Sequence, residues 1–317
     1  MKPRYATAAA LRAALEIRLN TTAAEQGLDL QRLRRQVAFD RFLCRLFRHA
    51  DSPWLLKGGC AMELRIRSAR TTRDIDLGLL KMPGGAKEWD ALAVRNLLAD
   101  AASLDLEDGF AFVIGEPGLD LDAAPYGGSR FPVDARMAGR RFISFHLDVS
   151  AGDVLREPFE PLEGRDWLGF AGIAPSRVPA ISREEQFAEK LHAYSLPREG
   201  RPNSRVKDLV DLLLLIESGM LDGDRVRQCI EATFRRRDTH PVPSPLGAPP
   251  QVWAGPFAEM AANCGLSQDS AAAFWRWLAT DPRLSGFLRC RGLIKPSCTL
   301  DPARPGVAPR AEVGRRP

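Results

Sequence analysis

The sequence predicts an α/β fold, a mixed sheet followed by a helical C-terminal region. Three observations carry the prediction. Up to residue 149, runs with strand character alternate with runs of helical periodicity. The stretch from about 110 to 149 is rich in strands, which favours a sheet of mixed direction over a purely parallel one. Beyond about residue 180 the apolar patterns are helical.

In order, residues from about 6 to 19 read as an amphipathic helix, with Leu11, Leu15 and Leu19 spaced four apart. A second helix is expected over about 29–49, with Leu30, Leu33, Val37, Phe39, Phe42, Leu43 and Leu46 on one broad face. Arg32, Arg34, Arg35 and Arg41 occupy its other side, which reads as a solvated face. A strand at 53–57, a helix at 59–67 and a strand at 74–80 follow. Met82-Pro83-Gly84-Gly85 is a turn, and a helix is expected from about 87 to 103. Residues 110–114 form a short strand, 115–129 a loop rich in Gly and Pro, and strands fit at about 130–135 and 141–149. The segment 157–180, with prolines at 158, 161, 175 and 179, reads as loops and short extended pieces. Ser182-Arg183-Glu184-Glu185 is a capping box opening a helix to about Ser195. Further helices are expected from near Ser204 to before Gly219, and over 224–236, 253–263 and 267–280. The segment 238–250 is proline-rich and reads as a linker or strap.

With 317 residues the chain is long enough for two domains or one elaborated domain. Hydrophobic content of 45% and charged content of 27% are those of an ordinary globular protein. No run of about 18 apolar residues suggests a membrane span. The start, Met1-Lys2-Pro3-Arg4-Tyr5, leads into an alanine-rich stretch broken by Arg12 and Glu16, which is no signal peptide, so a cytoplasmic location is expected. The six cysteines, at 44, 60, 229, 264, 290 and 298, show no paired metal spacing and read as reduced core residues. With four histidines and no His/Cys cluster, zinc chemistry is disfavoured. Net charge is +5, of which the tail 299–317 supplies +2, a mild excess compatible with a nucleic-acid partner. Only seven of the 45 basic residues are lysines, and Lys57, Lys190 and Lys207 fall inside the motifs below. A lysine in so arginine-rich a chain suggests a need for a compact point charge, as at a phosphate oxygen.

Two motifs carry chemistry. In the first, the apolar run Leu55-Leu56-Lys57 ends in Gly58-Gly59 and, after a helix, Arg73-Asp74-Ile75-Asp76-Leu77 follows. On a strand Asp74 and Asp76 project to one face while Ile75 and Leu77 go to the core. Paired carboxylates call for a cation, and Mg²⁺ is the usual one where phosphates complete the shell. The glycines let backbone amides approach an anion at the start of a helix. In the second motif, Lys190 of one helix precedes a nearly apolar helix bearing Lys207, Asp208 and Asp211 near its start. A buried Asp needs a partner, and Asp211 holding the Lys190 ammonium would form a phosphate clamp.

The order Gly-Gly, helix, Asp-x-Asp resembles the nucleotidyltransferase superfamily. With Glu184 to Ala193 and Arg205 to Leu212 it is similar to the AbiEii/MenT-type nucleotidyltransferase toxins of toxin–antitoxin systems. The resemblance spans roughly residues 35 to 235. It implies a third carboxylate on a later strand, for which Asp148 in His146-Leu147-Asp148-Val149 fits, with Asp153 a nearby alternative. On this reading residues 1–180 form a nucleotidyltransferase core with N-terminal helices and 181–298 a helical region completing the active site, the C-terminal third offering no residue-level match; the Pro/Arg/Gly-rich composition of 299–317 reads as a disordered tail. The resemblance further implies a catalytic set of Asp74, Asp76, Asp148, Lys190 and Asp211, with Mg²⁺ on Asp74, Asp76 and Asp148. Lys57, Gly58, Gly59, Lys190, Arg205 and Lys207 would bind the nucleotide. The family turn often reads Gly-Gly-Thr/Ser; Cys60 stands here, so the turn would rely on its amides. The implied reaction transfers a nucleoside monophosphate from an NTP to the 3′ end of tRNA, with an antitoxin as protein partner. Arg65, Arg67, Arg70 and Arg73, beside the motif, would suit that acceptor. Two other readings stay open on the sequence: transfer to a protein or small molecule, and a non-catalytic RNA- or antitoxin-binding module.

Overall fold

The structure, a computed structural model, describes residues 4–121, 124–197, 205–243 and 251–266. The expected helix at 267–280 and the tail at 299–317 lie outside the described residues, as do the expected loop at 198–204 and part of the proline-rich segment.

Helix α1 (Ala8–Gln26) starts where the Thr7 hydroxyl accepts from the Ala10 amide at 3.1 Å, and ends at Gly27 with φ 62°. It runs two turns past the expected end. Asn20 and Thr21, poor helix formers, satisfy their side chains by donating back to the Glu16 and Ile17 carbonyls at 2.7 and 3.1 Å. Helix α2 (Leu30–Leu46) is capped by Asp29, whose carboxylate accepts from the Arg32 amide at 2.7 Å. Its arginines are not a solvated face. Arg41 and Arg45, 2% and 1% exposed, form buried ion pairs. Arg45 donates to both oxygens of Asp108, at 2.8 and 2.7 Å, and Arg41 pairs with Asp40. Arg34 reaches back to Glu16 and Arg32 to Glu63.

Strands β1 (Trp54–Lys57) and β2 (Asp74–Leu79) flank helix α3 (Gly58–Arg65). Helix α4 (Ala91–Ala102) begins later than expected because the Asp90 carboxylate caps it, accepting from Leu92 and Ala93 amides. Strand β3 (Phe110–Ile114), the short β4 (Leu119–Asp120), and a long hairpin of β5 (Gly128–Met137) and β6 (Arg140–Ala151) follow. The hairpin turns on Ala138 and Gly139, both at positive φ. Strands β7 (Glu160–Glu163) and β8 (Arg177–Ala180) were legible only as extended pieces. Pro161 and Pro179 sit opposite each other in this pair. Pro179 is tolerated because β8 meets β1 only at Ala180, with the Ile181 amide donating to the Leu56 carbonyl at 3.0 Å.

The eight strands make one mixed sheet, ordered β3-β5-β6-β2-β1-β8-β7, with β4 added beside β5. The pairs β2·β6 and β1·β8 are parallel and the rest antiparallel. Strand β2 is therefore the middle of the path. One face, carrying Ile75, Leu77, Phe131, Phe145 and Leu147, packs with Leu33, Val37 and Phe42 of α2 in a single apolar core. The alternation then puts Asp74, Asp76, His146 and Asp148 on the opposite face.

Helices α5 (Arg183–Ser195), α6 (Val206–Glu217), α7 (Gly223–Arg237) and α8 (Ala254–Asn263) gather a second apolar cluster. Met62 and Ala69, from α3 and the segment after it, belong to that cluster and so join it to the sheet. The Ser182 hydroxyl accepts from the Glu185 amide at 3.2 Å as the capping box requires. The Glu185 carboxylate instead accepts from the Arg156 amide at 3.1 Å. Among the described residues, no helix is long and apolar enough to cross a membrane.

Candidate active site

Strand register builds the site. Lys57 of β1 lies opposite Asp76 of β2, Asp76 opposite Asp148 of β6, and Asp148 opposite Arg130 of β5. Directly paired residues share a face, so four charges form a row across four strands. One step along, Asp74 lies opposite His146. Asp153 has no place in the row: it holds Lys57, accepts from Ser150 at 2.7 Å and from Arg237 at 3.0 Å. The carboxylate beside the Asp74–Asp76 pair is thus Asp148.

The glycine turn is shaped by Asp76 itself. Gly58 has φ 63°, and a Cβ there would collide with the Asp76 carboxylate. A Cβ on Gly59 would come within 2.6 Å of the Thr72 hydroxyl. This closeness lets the Gly59 amide donate to Asp76 Oδ2 at 3.3 Å. On its other side the turn is fixed by α5, where Gln186 Nε2 donates to the Gly58 carbonyl at 2.6 Å. Cys60 is buried in the main core, away from the open face.

Charge is unevenly satisfied here. Lys57 has both Asp153 and Glu189 as partners. Burial works against its charge, but the two carboxylates outweigh it and its pKa is raised. Asp76 is in the opposite position. Burial, and then the neighbouring Asp148, push its pKa up to about 6, against the pull of Lys190, Lys57 and the Gly59 amide. A carboxylate so poorly compensated is one that a cation would relieve.

The helical region brings up the second motif. Lys190 Nζ lies 2.7 Å from Asp211 and 3.0 Å from Asp208. Asp211, fully buried, also receives a two-pronged bond from Arg70, at 2.9 and 2.7 Å. Burial would raise the Asp211 pKa, but Lys190 and Arg70 prevail and lower it. Arg70, which holds Asp211, also lies against the glycine turn, its Nη2 3.7 Å from where a Gly59 Cβ would stand, so the two motifs border one site. Arg205, at the start of α6, reaches Asp208 at 3.4 Å, while the Lys207 side chain is exposed.

The arginine cluster beside the motif divides. Arg65 is buried against Glu160, Gln186 and the Ile181 carbonyl, and Arg70 is spent on Asp211. Arg67 and Arg73 remain exposed. Four roles went unread in the sequence: Arg70 as the partner of Asp211 rather than of an acceptor, Asp208 as a second Lys190 partner, Gln186 on the glycine turn, and Arg130. Arg130 donates to both oxygens of Asp148, each at 2.7 Å. Its alternation with Phe131 and Val133 put it on a polar face, but only the β5·β6 register puts it on Asp148. Beyond Asp74 the open sheet face forms a groove of about 570 Å³, with Arg35, Arg73, Arg130, Pro132 and His146 among its walls.

Comparison with known proteins agrees with this architecture. The fold is similar to MenT4, a nucleotidyltransferase toxin from Mycobacterium tuberculosis H37Rv, with TM-score 0.52 and 18% identity, covering 87% of this chain and 97% of that one. JHP933 from Helicobacter pylori is more distant, with TM-score 0.46, 14% identity, and coverage of 83% and 96%. No curated protein matches the sequence. A family model for the nucleotidyl transferase AbiEii toxin of type IV toxin–antitoxin systems matches residues 41–280. That span holds the row of charges and the Lys190 clamp together, and with it the chain belongs to the AbiEii nucleotidyltransferase toxin family.

Proposed function

We propose that this toxin transfers a nucleoside monophosphate from an NTP to the 3′-terminal hydroxyl of tRNA, so that aminoacylation and translation stop. The observation that supports this most is the facing of two motifs: the Asp74–Asp76 pair on the central strand, in which Asp76 is under-compensated, and the Lys190 ammonium held by Asp211 and Asp208.

Asp74 and Asp76 suit a hard divalent cation such as Mg²⁺: they share a face, and Asp76 lacks a cation of its own. Bound there, Mg²⁺ would neutralise phosphate oxygens and steady the charge of the departing pyrophosphate. Lys190, fixed by two carboxylates, would meet a phosphate oxygen of the triphosphate, with Arg205 and Lys207 at the rim. Gly58 and Gly59 would keep the turn close to Asp76. Lys57, already paired twice, would hold β1 to α5 rather than bind phosphate. The terminal hydroxyl oxygen bonds to the α-phosphorus, the bond to pyrophosphate breaks, and the hydroxyl proton passes to solvent. A cytoplasmic site of action and a cognate antitoxin complete the reading.

The test is to incubate the protein with Mg²⁺, each α-labelled NTP in turn and total tRNA. Label is expected on intact tRNA, and none on tRNA whose 3′-terminal diol has been oxidised with periodate. Label on the oxidised tRNA, or on protein instead of RNA, would contradict the proposal.

A further inference from the structure

We infer that Arg130 stands in for a second metal ion, so that this chain handles its nucleotide with one divalent cation and one built-in guanidinium. The inference rests on the proposed Asp74–Asp76 cation site. A two-metal site places one ion on the attacking and one on the leaving oxygen, and on this sheet face a second ion would draw on the carboxylate beside the pair, Asp148. Here that third carboxylate is taken. Arg130 Nε donates to Asp148 Oδ1 and Nη2 to Oδ2, both at 2.7 Å, in the planar fork that suits a carboxylate. The same Nη2 lies 3.7 Å from Asp74 Oδ2, so the guanidinium spans the gap between Asp148 and the pair. That gap is where a bridging ion would sit.

The arrangement follows from strand register and not from a chance rotamer. Arg130 and Asp148 are direct partners in the antiparallel β5·β6 hairpin, one row from the Asp74·His146 pair. The donor inventory agrees. Among the described residues, no group of three or more His, Cys, Asp or Glu side chains is arranged to hold a metal ion. Asp76, by contrast, accepts a hydrogen bond from the Gly59 amide at 3.3 Å and no paired cation. Asp148 is neutralised internally, and Asp76 is left for an ion from solution. The Arg130 side chain is 32% exposed and lines the groove beside Asp74, so it can still face a ligand's phosphate or the attacking hydroxyl. A guanidinium supplies fixed positive charge there without the geometric demands of a hydrated ion.

Counting ions tests this directly. The full chain would be crystallised with Mn²⁺ and α,β-methylene NTPs, which resist cleavage at that bond, and Mn²⁺ located by anomalous scattering. One ion on Asp74 and Asp76 is expected in the wild type. Two are expected in Arg130→Gln, whose neutral amide leaves the Asp148 charge free. Two ions in the wild type, with Arg130 turned away, would overturn the inference while leaving the proposed function standing. One ion in both proteins would show that Arg130 excludes nothing, and would also overturn it. The absence of Mn²⁺ from both would overturn the inference together with the cation site it rests on. Should Arg130→Gln fail to fold, the wild-type count decides alone.

Discussion

At Gly58 the backbone sits at φ 63° with the Asp76 carboxylate where a Cβ would go. Gly58→Ala is therefore predicted to cost about 1–3 kcal/mol and to move the turn off Asp76, with loss of transfer; thermal melting and label transfer check both. The clamp makes a sharper prediction. In Lys190→Met, Asp211 keeps its two bonds from Arg70, so the protein should stay folded while transfer falls by about 100-fold or more. Asp211→Asn should be comparably severe, and the double variant little worse than either, since groups acting as a unit are non-additive. Lys190→Arg should not rescue, because a planar fork does not replace a point charge between Asp208 and Asp211. Activity loss that tracks unfolding in all four proteins would reduce the pair to a structural ion pair. Much of this was legible. Asp74 and Asp76 declare themselves by alternation, and Lys190 by its rarity among the basic residues. Arg70 was not, since an arginine between elements says nothing of which buried acid it will meet.

Helix α5 carries Lys190 and Gln186 inward, and its buried Glu185 gives it a pH dependence. Burial, then the neighbouring Glu189, raise the Glu185 pKa to about 8 from an ordinary 4.5. The folded chain then holds a proton that the unfolded chain has released, so this residue's contribution to stability is full below pH 4.5 and falls away as pH rises towards 8. Glu185→Gln keeps an acceptor for the Arg156 amide and removes the titration. It is predicted to flatten melting temperature against pH over that range, and to exceed the wild type above pH 8. Unchanged pH profiles would contradict this. Element existence was largely legible from period and caps. What escaped were non-local facts. The buried Arg41 of α2 looked like part of a solvated face because the Asp108 carboxylate and the Ala174 carbonyl that meet it come from distant parts of the chain. Strands β7 and β8 were obscured by prolines that their limited pairing tolerates.

On the scale of the molecule, the sheet and the helical cluster are two apolar bodies joined at α3 and α5, and the candidate site lies where they meet. That junction explains why neither motif alone was decisive in the sequence: the row Lys57–Asp76–Asp148–Arg130 needs the sheet's register, and the clamp needs the helices docked on it. Because burial and Asp148 push the Asp76 pKa up to about 6, protons and a divalent cation would compete for it. Stabilisation by Mg²⁺ with an uncleavable NTP is therefore predicted to grow as pH rises through 6, read as the thermal shift at pH 5 and pH 8. A shift independent of pH would place the cation elsewhere.

The most direct test of the central claim is Asp76→Asn, measured for melting temperature without metal and for label transfer to tRNA with Mg²⁺. The substitution keeps shape and removes a buried, under-compensated charge, so the metal-free protein should melt at the same temperature or higher at pH 8. Transfer should nevertheless fall below about one per cent of wild type, since a lost cation ligand costs several kcal/mol of transition-state stabilisation. A stable Asp76→Asn protein that still transfers at near wild-type rate would contradict the assignment of this site.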